Sequence, residues 1–215
     1  MKRNLLYILL LMITTCVVTS CKEEGDSNNE FSNWQSRNNE YFNKVYKEAQ
    51  TASSTNSNIK ILRSWSLGNE LQKPEDHIVV KVLENGTGTK TPVYNDSVYV
   101  HVQKRLIPSA TYPDGKIFSQ SWTTEVFNPS VSAPIEIAVN AQCDGFATAL
   151  QHMHVGDRWR VYVPYALSES NAEGQYDLPS HSMRIYDVTL AGVYCGAIFG
   201  GSISAILIRT PGTPA

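Results

Sequence analysis

Few residues in this chain have both the type and the spacing to do chemistry. His152 and His154 flank Met153 at the end of a helix-like stretch, an i, i+2 pair that can hold a metal. No further ligand follows at the spacing of a metal motif, so the pair is read as structural or solvated and no metal or other cofactor is expected. No serine–histidine–acid arrangement, phosphate loop or dinucleotide fingerprint is present. Asp157 beside Arg158 reads as turn solvation, and Trp122 and Trp159 as packing residues. The aromatic residues Phe118, Phe146 and Tyr186, together with Val163, remain. Taken alone they are what the core of a small domain requires.

The elements that must position these residues are short. Residues 22–33 are polar and read as a tether. From Trp34 a helical period sets Trp34, Tyr41, Phe42, Val45, Tyr46 and Ala49 on one face, with Ser32 or Asn33 as the cap. A short strand is expected at 61–67. After Pro74 the pattern changes to β-type runs at 77–83, 97–106, 134–139, 158–163 and 183–190. In the second run Val98, Val100, Val102 and Lys104 share one face, Tyr99 and His101 the other. Asp144 is the expected cap of a short helix carrying Phe146, Leu150 and Met153 and ending at Val155-Gly156. The expected architecture is α+β, an antiparallel sheet wrapped on a short helix and preceded by an N-terminal helix. The chain divides into residues 1–20, a linker at 21–33, a helical extension at 34–76, the domain at 77–191 and an apolar tail at 192–215. The tail is uncharged from 191 to 208 and reads as extra strands or an apolar end.

With 42% hydrophobic and 18% charged residues, the chain has the composition of a core-forming protein. A formal charge of −2 and the absence of a basic stripe exclude nucleic acid from the expected partners. Lys2 and Arg3 precede an apolar run at 5–18 that is short for a membrane span. It ends in Val18-Thr19-Ser20-Cys21, which resembles the lipobox of bacterial lipoproteins and implies a lipid on Cys21, such as a diacylglycerol. That resemblance implies attachment to an envelope membrane of a bacterium, the outer membrane, with the domain facing the periplasm or the surface. Lys22-Glu23-Glu24 suits either a surface-export signal or a solvated linker. Cys143 and Cys195 then remain as thiols that pair or stay free.

Five stretches, in order, resemble the FKBP-type peptidyl-prolyl cis-trans isomerase family. They are residues 82–88 with Pro92 and Asp96-Ser97-Val98-Tyr99-Val100-His101, Asp114-Gly115-Lys116-Ile117-Phe118, Gly145-Phe146 through Met153 and Val155-Gly156, Val163-Pro164, and Ile185-Tyr186-Asp187-Val188. The resemblance spans about residues 78–190 and implies action on proline-containing polypeptides, assisting the folding of exported proteins. It implies cleft walls at Phe118 and Tyr186, a floor at Phe146 where the family has Trp, and a backbone donor at Cys143. Val102, Ser119, Gln142, Val163 and Glu169 would meet substrate. Val102 stands for a family Tyr, Gln103-Lys104 for Thr-Gly, Ser119 for Asp and Glu169 for a loop Tyr. These departures imply a slow isomerase or a peptide-binding module with an eroded cleft.

Overall fold

The computed structural model describes residues 30–68, 72–168, 178–199 and 202–207. The apolar run at 5–18, Cys21, Glu169 and the last residues of the tail lie outside them. From Asn33 onward the chain forms one unit, built on an antiparallel sheet that is eight-stranded among the described residues. Its elements are α1 (Trp34–Ala52), β1 (Ile59–Arg63), β2 (His77–Glu84), β3 (Ser97–Arg105), β4 (Ile117–Gln120), β5 (Ile135–Ala138), α2 (Asp144–His152), β6 (Arg158–Val163), β7 (Arg184–Phe199) and β8 (Ser202–Leu207). The order across the sheet is β1-β2-β6-β7-β3-β4. The far edge of β3 is shared between β4 at 103–105 and β5 at 97–100.

Alternation along the strands gives the sheet two chemically different faces. Ile78, Val80, Val82, Val98, Val100, Val102, Trp159, Val161, Val163, Tyr186, Val188 and Leu190 are buried in one cluster with Phe146, Ala147, Ala149 and Leu150 of α2. Gly145 lets α2 sit this close, because a Cβ there would lie 2.3 Å from Val163 Cγ1. The opposite face carries His77 and Val79, buried beneath α1, whose Tyr46 ring lies 5.8 Å from the His77 ring. At full burial the twelve strand side chains of the cluster would each contribute roughly 1.5–3 kcal/mol before entropy is counted.

Helix α1 follows the expected stripe through Trp34, Phe42, Tyr46 and Ala49, while Tyr41 and Val45 are half-buried at its margins. Its fifth buried residue is polar. Asn38 donates from Nδ2 to Trp34 O at 2.7 Å and accepts from Met183 N–H at 2.9 Å, and Trp34 Nε1–H donates to Ser182 Oγ at 2.8 Å. These bonds tie the helix to the start of β7.

Four local expectations are corrected. Asn33 holds the cap position of α1 in a left-handed conformation but makes no side-chain capping bond. Cys143, not Asp144, is the cap residue of α2. Asp144 is the first helical residue, and its carboxylate accepts from Ser66 Oγ at 2.6 Å. The short strand runs 59–63 rather than 61–67, because pairing with β2 selects its register. In the described part of the tail the extra-strand reading holds, since β7 continues to Phe199 and pairs with β8. Asp157 is 5% exposed and does more than solvate a turn. It accepts from Gly86 N–H at 2.6 Å and His154 N–H at 2.8 Å, pinning the residues after β2 to the turn before β6.

Candidate functional site

Across the α2-facing side of the sheet, one row of register partners runs Ser119, Lys104, Tyr186, Val161, Val80. Helix α2 lays Phe146 against this row. The Phe146 and Tyr186 rings are stacked, centroids 4.4 Å apart and planes 9° apart. At the cap of the same helix, Cys143 places Sγ 3.4 Å from the Tyr186 hydroxyl. Helix and strand thus converge on one apolar spot with a single phenol and a single thiol. Cys143 has extended backbone (φ −61°, ψ 154°), so its N–H precedes the helical ladder and takes no part in it.

Burial pushes the Tyr186 phenol well above its ordinary value, and the neighbouring Cys143 adds to the rise. Tyr186 is therefore a neutral phenol, a hydrogen-bonding group and an apolar surface rather than an acid or base near neutrality. Cys143 is a free, buried thiol. Among the described residues no group of histidine, cysteine and carboxylate side chains is placed to hold a metal.

The expected site residues fall at different depths. Phe146, Tyr186 and Val163 are 0% exposed, Cys143 2% and Val102 3%. Phe118, Ser119 and Gln142 are half-buried. Phe118 lies at a bulge, since Lys104 pairs with Ser119 and Arg105 with Ile117. Gln142 donates from Nε2 to Ala138 O at 3.2 Å. The aromatic pair is closed in this structure, because each ring covers the other and the Lys104 side chain lies over both. Its Nζ is 6.0 Å from the Phe146 centroid and 5.6 Å from that of Tyr186. Sequence reasoning placed Lys104 on the face of Val98, Val100 and Val102 and weighed it otherwise as a departure from a family glycine. The signal that places it over the site was the alternation of β3, which sets it on the face of Val98, Val100 and Val102.

A separate cavity of about 300 Å³ lies beside α1 and contains none of these residues. Asn39, Phe42, Asn43, Glu75, Tyr165 and Met183 are among its walls. On the face opposite the aromatic pair, His101 is buried under Phe127, ring centroids 5.0 Å apart, with Trp122 4.7 Å from Phe127. Burial holds the His101 imidazole below its ordinary value.

Residues 88–191 match the family model for FKBP-type peptidyl-prolyl cis-trans isomerase. This part of the chain is similar to that family. A macrophage infectivity potentiator from Trypanosoma cruzi is 31% identical over 55% of this chain and 54% of its own length. A probable FKBP-type 25 kDa peptidyl-prolyl cis-trans isomerase from Pseudomonas aeruginosa is 33% identical over 50% of this chain and 38% of its own length. The chain thus spans about half or less of these two curated relatives. A crystal structure of a peptidyl-prolyl cis-trans isomerase from Pseudomonas syringae aligns over 72% of this chain and 94% of that one, at 26% identity and a TM-score of 0.45. Residues 182–215 also match the model of the tripartite tricarboxylate transporter TctA family. That short match overlaps β7 and the tail, and among the described residues no helix is long and apolar enough to cross a membrane.

Proposed function

We propose that this chain is a prolyl cis-trans isomerase, held by a lipid on Cys21 at a bacterial envelope membrane and acting on proline-containing polypeptides there. The stacked Phe146–Tyr186 pair at the mouth of α2, inside a family-matched domain, is the observation that carries the reading. Rotation about an X-Pro amide faces a barrier of roughly 20 kcal/mol. The twisted amide has lost its resonance, and its carbonyl is less polar than in either planar form. A dry aromatic surface therefore favours the twisted state over both, and each ~1.36 kcal/mol of preference is tenfold in rate. Phe146 and Tyr186 supply that surface once substrate displaces their cover. Phe118 is the further wall that the family resemblance assigns, and the Cys143 N–H donates to the substrate carbonyl. Val102, Val163, Ser119, Gln142 and Glu169 complete the substrate contacts. No step needs a cofactor.

The envelope placement rests on Lys2 and Arg3, the apolar run at 5–18 and the Val18-Thr19-Ser20-Cys21 motif. Labelled palmitate incorporated into the full chain and lost in Cys21→Ser tests the anchor. Isomerisation of a short X-Pro peptide, measured beside Phe146→Leu, tests the activity. Acceleration by the native chain and at least tenfold loss in the variant is the expected result. No acceleration by either, from a folded chain, discards the catalytic reading.

The departures at Val102, Ser119 and Glu169 favour one alternative, a peptide-binding module that captures extended chain without turning it over. Peptide binding without acceleration distinguishes it.

A further inference from the structure

We infer that the cavity beside α1 is a second binding site, one that takes the guanidinium of an arginine carried by a polypeptide. The inference does not depend on the isomerase reading, since the cavity shares no residue with the aromatic pair.

The walls of the cavity are fixed by bonds of their own. Helix α1 supplies Asn39 and Asn43, one turn apart, with the buried Phe42. The turn Pro74–Asp76 supplies Glu75. Its shape is set by the Pro74 ring and by the Asp76 carboxylate, which accepts from Lys73 N–H at 2.8 Å. Met183, tied to Asn38 through its N–H, adds a second buried apolar side chain. Asn39, Asn43 and Glu75 are exposed, so the cavity opens to solvent. Its volume of about 300 Å³ is at the lower limit of small-molecule sites and suits one long side chain.

The polar groups define what that side chain carries. Glu75 is the only charged residue in the lining among the described residues. Among those residues the side chains of Asn39, Asn43 and Glu75 have no hydrogen-bond or ion-pair partner, whereas the Asn38 amide is spent on Trp34 O and Met183 N–H. Two amide oxygens and a carboxylate on two different elements call for a donor that reaches several acceptors at once. A guanidinium offers five N–H groups in a rigid plane and pairs bidentately with a carboxylate, whereas an ammonium meets it as a point charge. The apolar stem of an arginine then lies along Phe42 and Met183. A neutral ligand leaves Glu75 unpaired, and an anion meets it as a like charge.

The test titrates the full-length chain with acetyl-Gly-Arg-Gly-amide and with its citrulline and lysine counterparts. Affinity is read by calorimetry and location by backbone amide shifts. Citrulline keeps the shape of arginine and removes the charge. The arginine peptide is expected to bind about tenfold more tightly than the citrulline peptide, as one charge-assisted contact provides, and more tightly than the lysine peptide. Shift changes are expected at Asn39, Asn43 and Glu75 and not at Phe146 or Tyr186. Glu75→Gln is expected to bring arginine and citrulline within about twofold. It is expected to leave isomerisation of an arginine-free X-Pro peptide as it is in the native chain. No binding, or equal binding of the arginine and citrulline peptides, overturns the inference. An arginine preference that survives in Glu75→Gln overturns it too, and a lysine peptide that binds as tightly as arginine overturns the assignment to a guanidinium. If the arginine preference holds in a chain that accelerates no X-Pro peptide, this site stands and the isomerase reading falls.

Discussion

The two faces of the same strands solve burial in opposite ways. On the α2 side, β7 presents Tyr186, Val188 and Leu190 to an apolar layer in which the Tyr186 hydroxyl meets the Cys143 thiol. On the other side the intervening Asp187 is only 13% exposed and gathers two guanidinium groups. It accepts from Arg160 Nε at 2.6 Å and Nη2 at 2.8 Å, and also pairs with Arg105. The bidentate bond to Asp187 raises the Arg160 pKa. One face is thus held mainly by contact area, while the other combines the packing of α1 with a small charge network. That contrast suits the candidate site to the first: a twisted amide needs a dry, weakly polar surface, and the second carries the fixed charges around Asp187.

The contrast is sharpest at Phe146. Phe146→Ala removes a fully buried ring and its stacking partner, and is expected to cost about 3–5 kcal/mol in urea unfolding. A cost below that of the charge network would show that the apolar face is not the dominant one. Asp187→Ala leaves two part-buried guanidiniums without their shared acceptor. About 2–3 kcal/mol is expected, less than for a fully buried pair because Arg160 is a third exposed. Adding salt should lower the stability of the native chain more than that of this variant.

The α1 latch comes next. Asn38→Ala leaves the Met183 N–H without its acceptor and is expected to cost about 1–2 kcal/mol. Hydrogen exchange in α1 should rise in that variant while α2 stays protected. Exchange rising equally in both helices would show the two layers to be one cooperative unit.

His101 gives the smallest effect. Its folded pKa lies below the ordinary value near 6.5, so the unfolded chain takes up a proton that the folded chain resists. Stability from the buried neutral imidazole is complete above the unfolded pKa and is lost as pH falls below it, through the folded pKa. The native chain should therefore lose more stability than His101→Leu between neutral and mildly acidic pH, as read by paired denaturation curves. Parallel curves would mean that His101 is free to protonate beneath Phe127.

Much of this was legible from residue order. Period-two runs placed β2, β3 and β6 within a few residues of where they lie, and the helical stripe from Trp34 identified the packed face of α1. The family resemblance also assigned Phe146 and Tyr186 to one cleft, as floor and wall. It did not reveal that they stack and close over one another, because centroid distance and ring angle depend on how deeply α2 sinks against Val163 and Ile78. Asn38, Asp157 and Asp187 carry no local signal of their roles. Their partners stand 145, 71 and 82 positions away in the chain, at Met183, Gly86 and Arg105. Strand order created those contacts, since the sequence by itself determines which side chains share a face while only the folded sheet decides what stands opposite them. Lys104 shows both halves of that division. Alternation alone puts it on the apolar face, but its place above an aromatic pair comes from β3 pairing with β7 in one register and no other, a choice that requires the whole apolar face to be buried at once.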